Sequence, residues 1–110
     1  MPEKIVWMSP DEVLKQMPAL VTEWGESALI SYKEFGFKYF SKPKIKALKG
    51  KYPTKQKLRK YIEKEKPVLL HYGSMWDVKG KKYPTHEGRH TTLLAKMLGI
   101  KKIPVVVRGK

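Results

Sequence analysis

The run His86-Glu87-Gly88-Arg89-His90-Thr91 gathers two imidazoles, a carboxylate, a guanidinium and a hydroxyl within six positions. Two chemistries use residues of these types. In the first, His86-Glu87-Gly88-Arg89-His90 reads as H-E-x-x-H, where histidines one helical turn apart ligate zinc and the glutamate activates water. His71, in an apolar stretch upstream, then supplies the third imidazole of a His71, His86 and His90 site. Three features weigh against this zinc hydrolase. Gly88 interrupts a motif that needs continuous helix, at about 1 kcal/mol relative to Ala. No His, Asp or Glu follows His90, and only twenty residues remain to build a substrate cleft.

The second chemistry takes Gly88 as the point where a strand turns into a helix. The first-turn N–H groups of Arg89, His90 and Thr91 then converge on one place, and a helix N-terminus carries the positive end of the helix dipole. Arg89 adds a two-pronged phosphate donor and Thr91 a hydroxyl. Gly88, Arg89, His90 and Thr91 are therefore the expected phosphate ligands. Glu87 and His90 are the candidate catalytic pair, as base and proton carrier. A binding module and an enzyme both fit these residues.

The flanking stretches supply the elements that must hold such a site. Lys4 to Met8 predicts a strand, and Ser9-Pro10-Asp11-Glu12 predicts a capped helix start, with the chain stopped at Pro18. Between Ala19 and Phe35 the apolar residues Leu20, Val21, Trp24, Ala28, Leu29, Tyr32 and Phe35 recur at spacings of three and four, which predicts one or two helices broken near Gly25, with Trp24 and Tyr32 in the core. Phe37 to Lys51 reads as a loop or short edge element carrying a comb of lysines, interleaved with Tyr39, Phe40 and Tyr52. Thr54 caps a further helix whose inner stripe is Leu58, Tyr61 and Ile62. Pro67 to Tyr72 predicts a strand that pairs through Lys79-Gly80 with residues 81 to 85, delivering the chain to His86. A helix then runs to Leu98 with Gly99 as its C′ residue, and Ile103 to Val107 is a last strand, with Pro104 suited to a strand start or an edge. The expected architecture is a single α+β domain over residues 1–110, a small mixed β-sheet with packed helices.

Charge points to the partner. The net charge is +14, with −3 over residues 1–37 and +17 over residues 38–110. An excess of this kind suits an anionic partner, nucleic acid first, because phosphate neutralisation supplies most non-specific affinity. The expected contacts are Lys42, Lys44, Lys46, Lys49, Lys51, Lys55, Arg59 and Lys60. Lineage is the competing explanation. Lysine outnumbers arginine 21 to 3, asparagine is absent and glutamine occurs twice, a composition like that of hyperthermophile proteins, although those balance lysine with glutamate. The lack of cysteine excludes disulfides, Cys-ligated metals and thiol catalysis. No apolar run reaches the length of a membrane span, so the expected location is cytoplasmic, with no membrane partner.

Glu87-Gly88-Arg89-His90, followed by Leu94-Ala95-Lys96-Met97-Leu98-Gly99-Ile100 and Ile103-Pro104-Val105-Val106-Val107, resembles the signature of the ParB/sulfiredoxin-like superfamily. There an acidic-Gly-x-His/Arg-Arg turn opens a helix that ends at Leu-Gly-Ile or Leu-Gly-Leu and passes into an Ile-Pro-Val strand. Met8 to Leu14 and the spelling His-Glu-Gly-Arg-His are similar to ParB-like domains of phages and mobile elements. The resemblance implies a phosphate-binding turn on an α+β fold, in a family whose members bind CTP, phosphorylate a small molecule, reduce cysteine sulfinic acid or are nuclease-like. Arg89 stands where the reductases need Cys, which excludes that activity, and Thr91 replaces the family's usual second basic residue. The expectation is a basic module that binds nucleic acid and, at Gly88, a nucleotide with magnesium. The alternative is a nucleotide-dependent phosphotransferase or nuclease-like enzyme using Glu87, Arg89 and His90.

Overall fold

The computed structural model describes residues 3–17, 19–23, 26–30, 42–78 and 81–109. Strand β1 (Glu3–Met8) leads directly into helix α1 (Pro10–Lys15). The Ser9 hydroxyl accepts the Glu12 N–H at 3.2 Å, and Pro10, which has no N–H to lose, sits in the first turn. Thr54 does the same for helix α3 (Lys55–Lys64), where its hydroxyl accepts the Lys57 N–H at 3.3 Å. Strands β4 (Val68–Val78) and β5 (Lys81–Glu87) form the expected antiparallel pair, with a bulge between His71 and Met75.

Two stretches differ from the sequence reading. Residues 19–23 and 26–30 are not helical: β2 (Ala19–Glu23) and β3 (Glu26–Ile30) pair antiparallel in a sheet of their own, with Leu20 opposite Leu29 and Val21 opposite Ala28. Apolar residues placed symmetrically about a turn reproduce helical spacings by coincidence, and the antiparallel ladder is what satisfies both backbones. Trp24, Tyr32 and Phe35 lie outside the described residues, as do Tyr39 and Phe40. The lysine comb is not a loop either. It forms helix α2 (Lys42–Lys51), since lysine is a good helix former and Pro43 falls in the first turn, where it costs little.

The main sheet has the order β1-β6-β4-β5, where β6 (Ile103–Arg108) is antiparallel to β1 and parallel to β4. Pro104 therefore lies in an interior strand, not at an edge. It stands one residue before the first β4 pair, Val68 with Val105, so the strand-start reading of this proline holds. Register puts Val68, Leu70, Val105 and Val107 on one face, all buried, under Leu58 and Ile62 of α3 and Leu94 and Ala95 of helix α4 (Arg89–Met97). Each such side chain contributes about 1.5–3 kcal/mol by leaving water. Val13 and Met17 extend the same core, while Leu14 and Leu93 join α1 to α4 in a smaller cluster that Ile45 of α2 covers. An ion pair, Lys96 with Asp11 at 2.7 Å, ties the same two helices at the surface.

Both ends of α4 are set by local geometry. At its C-terminus the N–H of Ile100 reaches the Ala95 carbonyl and that of Gly99 the Lys96 carbonyl, the 6→1 and 5→2 bonds of a Schellman motif, with Ile100 buried. At its N-terminus Gly88 has φ +96°, and a side chain there would come within 3.0 Å of the Val68 Cγ2 and 3.2 Å of the Val68 Cα. Its carbonyl receives both the N–H and the hydroxyl of the buried Thr92, at 2.9 and 2.7 Å. Gly88→Ala adds left-handed strain to that collision, so it is expected to lower unfolding free energy by about 1–3 kcal/mol, measured by urea titration. An unchanged midpoint would show that the turn relaxes freely.

Candidate functional site

The turn at Gly88 breaks the H-E-x-x-H run across two elements. His86 and Glu87 end β5, and His90 opens α4, so the two histidines do not share a helix. Strand pairing separates them further. His86 lies opposite Leu70, on the helix-covered face, whereas Glu87 lies opposite Leu69 and His71 opposite Thr85, on the other face. The three imidazoles are thus not assembled, and no group of three or more metal-ligating side chains occurs among the described residues. Glu87 is exposed and lies outside the cleft described next.

The cleft itself, about 340 Å³, lies at the N-terminus of α4. Gly88, Arg89, His90 and Thr91 form one wall, which brings together all four expected phosphate ligands. Lys44, Ala47, Leu48 and Lys51 of α2 form the opposite wall, and Tyr61 and Lys66 close it. First-turn N–H groups of a helix point out of its end, here toward this space. Four cations therefore line the cleft, with no carboxylate among its described residues. Thr92, next to Thr91 in sequence, is not a ligand, because its hydroxyl is committed to the Gly88 carbonyl.

Helix α2 sorts the lysine comb. Stepping 100° per residue, Lys44, Leu48 and Lys51 fall within about 60° of one another, while Lys42, Lys46 and Lys49 fall on the far side. Lys44 and Lys51 accordingly line the cleft, and Lys42, Lys46 and Lys49 face away, exposed. On α3 the same geometry aligns Lys57, Lys60, Tyr61 and Lys64, leaving Lys55 and Arg59 on another side. Lys51, Tyr52, Lys57, Lys60, Tyr61, Lys64 and Glu65 line a second groove of about 390 Å³. Lys51 and Tyr61 belong to both, so groove and cleft form one trough. Of the eight expected contacts, Lys44, Lys51 and Lys60 lie in the trough. Lys57, Lys64 and Lys66 join them there without having been singled out. The spacing 57, 60, 61, 64 was the signal for two of them. Lys66 had none, because it reaches the cleft only as the chain closes around Tyr61, whose carbonyl receives the N–H groups of both Glu65 and Lys66.

The site's titrating groups sense this crowding. His90 is held below the ordinary imidazole range, first by burial and then by Arg89 and Lys44. His86 is lowered by burial, with Arg89 adding to the effect and a contact between Nδ1 and the Pro84 carbonyl at 3.4 Å opposing it. Burial also lowers Arg89, which as a guanidinium remains charged. Near pH 7.5 folded and unfolded chains both hold these histidines neutral. As pH falls through the unfolded value of 6.5, only the unfolded chain takes up protons freely, so folding stability declines. Urea midpoints are expected to drop between pH 7.5 and 5.5, and His90→Gln to flatten that drop. A profile equally steep in the variant would show that His90 is not a source of it. The chain matches no family model, no curated protein and no solved structure, so the chemistry of this cleft rests on its own residues.

Proposed function

We propose that the protein binds nucleic acid, seating a backbone or nucleotide phosphate in the cleft at Gly88. One observation carries the reading: Lys44, Lys51, Lys66 and Arg89 surround a single cleft with no carboxylate among them. A cluster of cations of this kind is relieved by an anion, and Arg89 with the helix N-terminus suits a tetrahedral phosphate. Solvated lysines inherited with a basic composition would have no reason to converge in this way. The reading takes residues 87–107 as a ParB-like phosphate turn, and a free nucleotide would use the same donors, bringing its magnesium with it. Glu87, outside the cleft and exposed, favours binding over catalysis. No helix among the described residues is long and apolar enough to cross a membrane. A nucleic acid partner would place the protein in the cytoplasm, its own cell's or that of a host.

Binding measured by fluorescence anisotropy over a salt series tests the reading. The logarithm of affinity is expected to fall linearly with the logarithm of salt, and Lys44→Ala, Lys51→Ala and Lys66→Ala each to reduce the slope by about 0.7–0.9. Lys42→Ala and Lys46→Ala, on the opposite side of α2, are expected to leave it nearly unchanged. No binding at low salt would remove the proposal. Equal losses from both sides of α2 would remove the cleft as its seat.

A further inference from the structure

The second groove narrows the class of nucleic acid. We infer that the trough takes a single strand, with a base laid on the Tyr52–Tyr61 pair and the backbone following the lysines toward Gly88. The inference rests on the nucleic acid reading above and adds to it the form of the ligand.

Its basis is the placement of aromatic and charged groups in one groove. The rings of Tyr52 and Tyr61 stack with centroids 4.2 Å apart and planes inclined by 22°. Each ring holds the other and both pack against the hydrophobic core, so the pair needs little further ordering before a base is laid on its groove side. Both tyrosines are only partly buried, and both line the groove. Lys57, Lys60 and Lys64 run alongside on α3, spanning about 10 Å of helix axis, enough for two or three phosphates of a strand. Lys51 stands where groove and cleft meet.

Glu65 gives the trough a direction. It is the one carboxylate lining either part among the described residues, and it accepts the Tyr52 hydroxyl at 3.4 Å. A carboxylate repels phosphate but accepts hydrogen bonds from base N–H groups. Bases are therefore favoured at the tyrosine end and phosphates at the Gly88 end, where cations line the cleft and no carboxylate does among the described residues. A duplex cannot use this arrangement, because its base faces are stacked on one another and only their edges reach the grooves. Single strands expose base faces, and aromatic platforms beside a basic track are how proteins hold them without reading sequence.

The test compares labelled oligonucleotides of about twelve nucleotides as single-stranded DNA, single-stranded RNA and duplex DNA of the same sequence, at one moderate salt concentration. At least one single strand is expected to bind about tenfold tighter than the duplex, and the DNA and RNA arms show which sugar is preferred. Tyr52→Leu keeps an apolar side chain but removes the π face, and is expected to weaken single-strand binding about five- to a hundredfold. Duplex binding should change little, and Tyr52→Phe should restore the single strand's affinity. The variants' melting temperatures are read in parallel, and the comparison of strand forms on the unaltered protein stands even if Tyr52→Leu fails to fold. Duplex binding as tight as single-strand binding, or a Tyr52→Leu variant that loses nothing, would overturn the inference while leaving the nucleic acid reading intact. Binding of none of the three at low salt would overturn both.

Discussion

Val68 crowds any side chain at position 88, where the backbone is also left-handed, and the rest of the site follows from that close approach. Strand β5 runs along β4 until it reaches this valine, and only a residue without Cβ can pass so close in a left-handed conformation. The turn lifts the chain out of the sheet and starts α4 across the face that Val68 and Leu70 present. Thr92 then locks the turn by giving two hydrogen bonds to one carbonyl. The packing that completes the core is thus the same packing that aims the helix end at α2. Fold and site share one constraint, so neither is adjustable without the other.

What gathers around that helix end is cationic and comes from separate elements. Lys44 and Lys51 come from α2, Lys66 from the end of α3 and Arg89 from α4, three segments whose hydrophobic faces pack on a common core. Leu48 of α2 lies between its two lysines and packs against that core, holding their charges where solvation alone would let them spread. His90 answers by staying neutral where a free imidazole would begin to protonate. Apolar packing thus holds these cations on one cleft, and His90 is lowered first by its own burial, with Arg89 and Lys44 adding to it.

Local signals made much of this legible. Ser9 and Thr54 announce their helices because a hydroxyl three residues ahead of an N–H is a complete structural device in itself. Gly88 and Gly99 mark the ends of α4 for similar reasons, and β-branched residues mark β6. The failures are equally physical. Leu20, Val21, Ala28 and Leu29 pair across a hairpin, and counting along one strand, round a turn and back along the other yields spacings that a helix also produces. Phe37 to Lys51 reads as a loop or short edge element because of Pro43 and Gly50, but a proline in the first turn costs little and Lys42–Lys51 forms a helix whose Ile45 and Leu48 pack. Glu87 and Arg89 look like partners in the sequence, yet the sheet pleat and the left-handed glycine send them to different places. The cleft was half visible, since its α4 wall is contiguous in the chain. Its α2 wall and Lys66 belong to it only through tertiary packing.

The position of β6 has a consequence for how the molecule is made. It lies between β1 and β4, so β1 has no partner in the main sheet until β6, about a hundred residues further along the chain, has been made. At about 5–20 residues per second, β1 waits roughly five to twenty seconds. Throughout that interval Ile5 and Trp7, which remain 65% and 50% exposed even in the folded chain, sit on a strand with both edges open. Glu3 and Lys4 at its head act as gatekeepers against pairing with a neighbouring nascent chain. The main sheet is therefore complete only once Ile103 to Arg108 has joined β1 to β4.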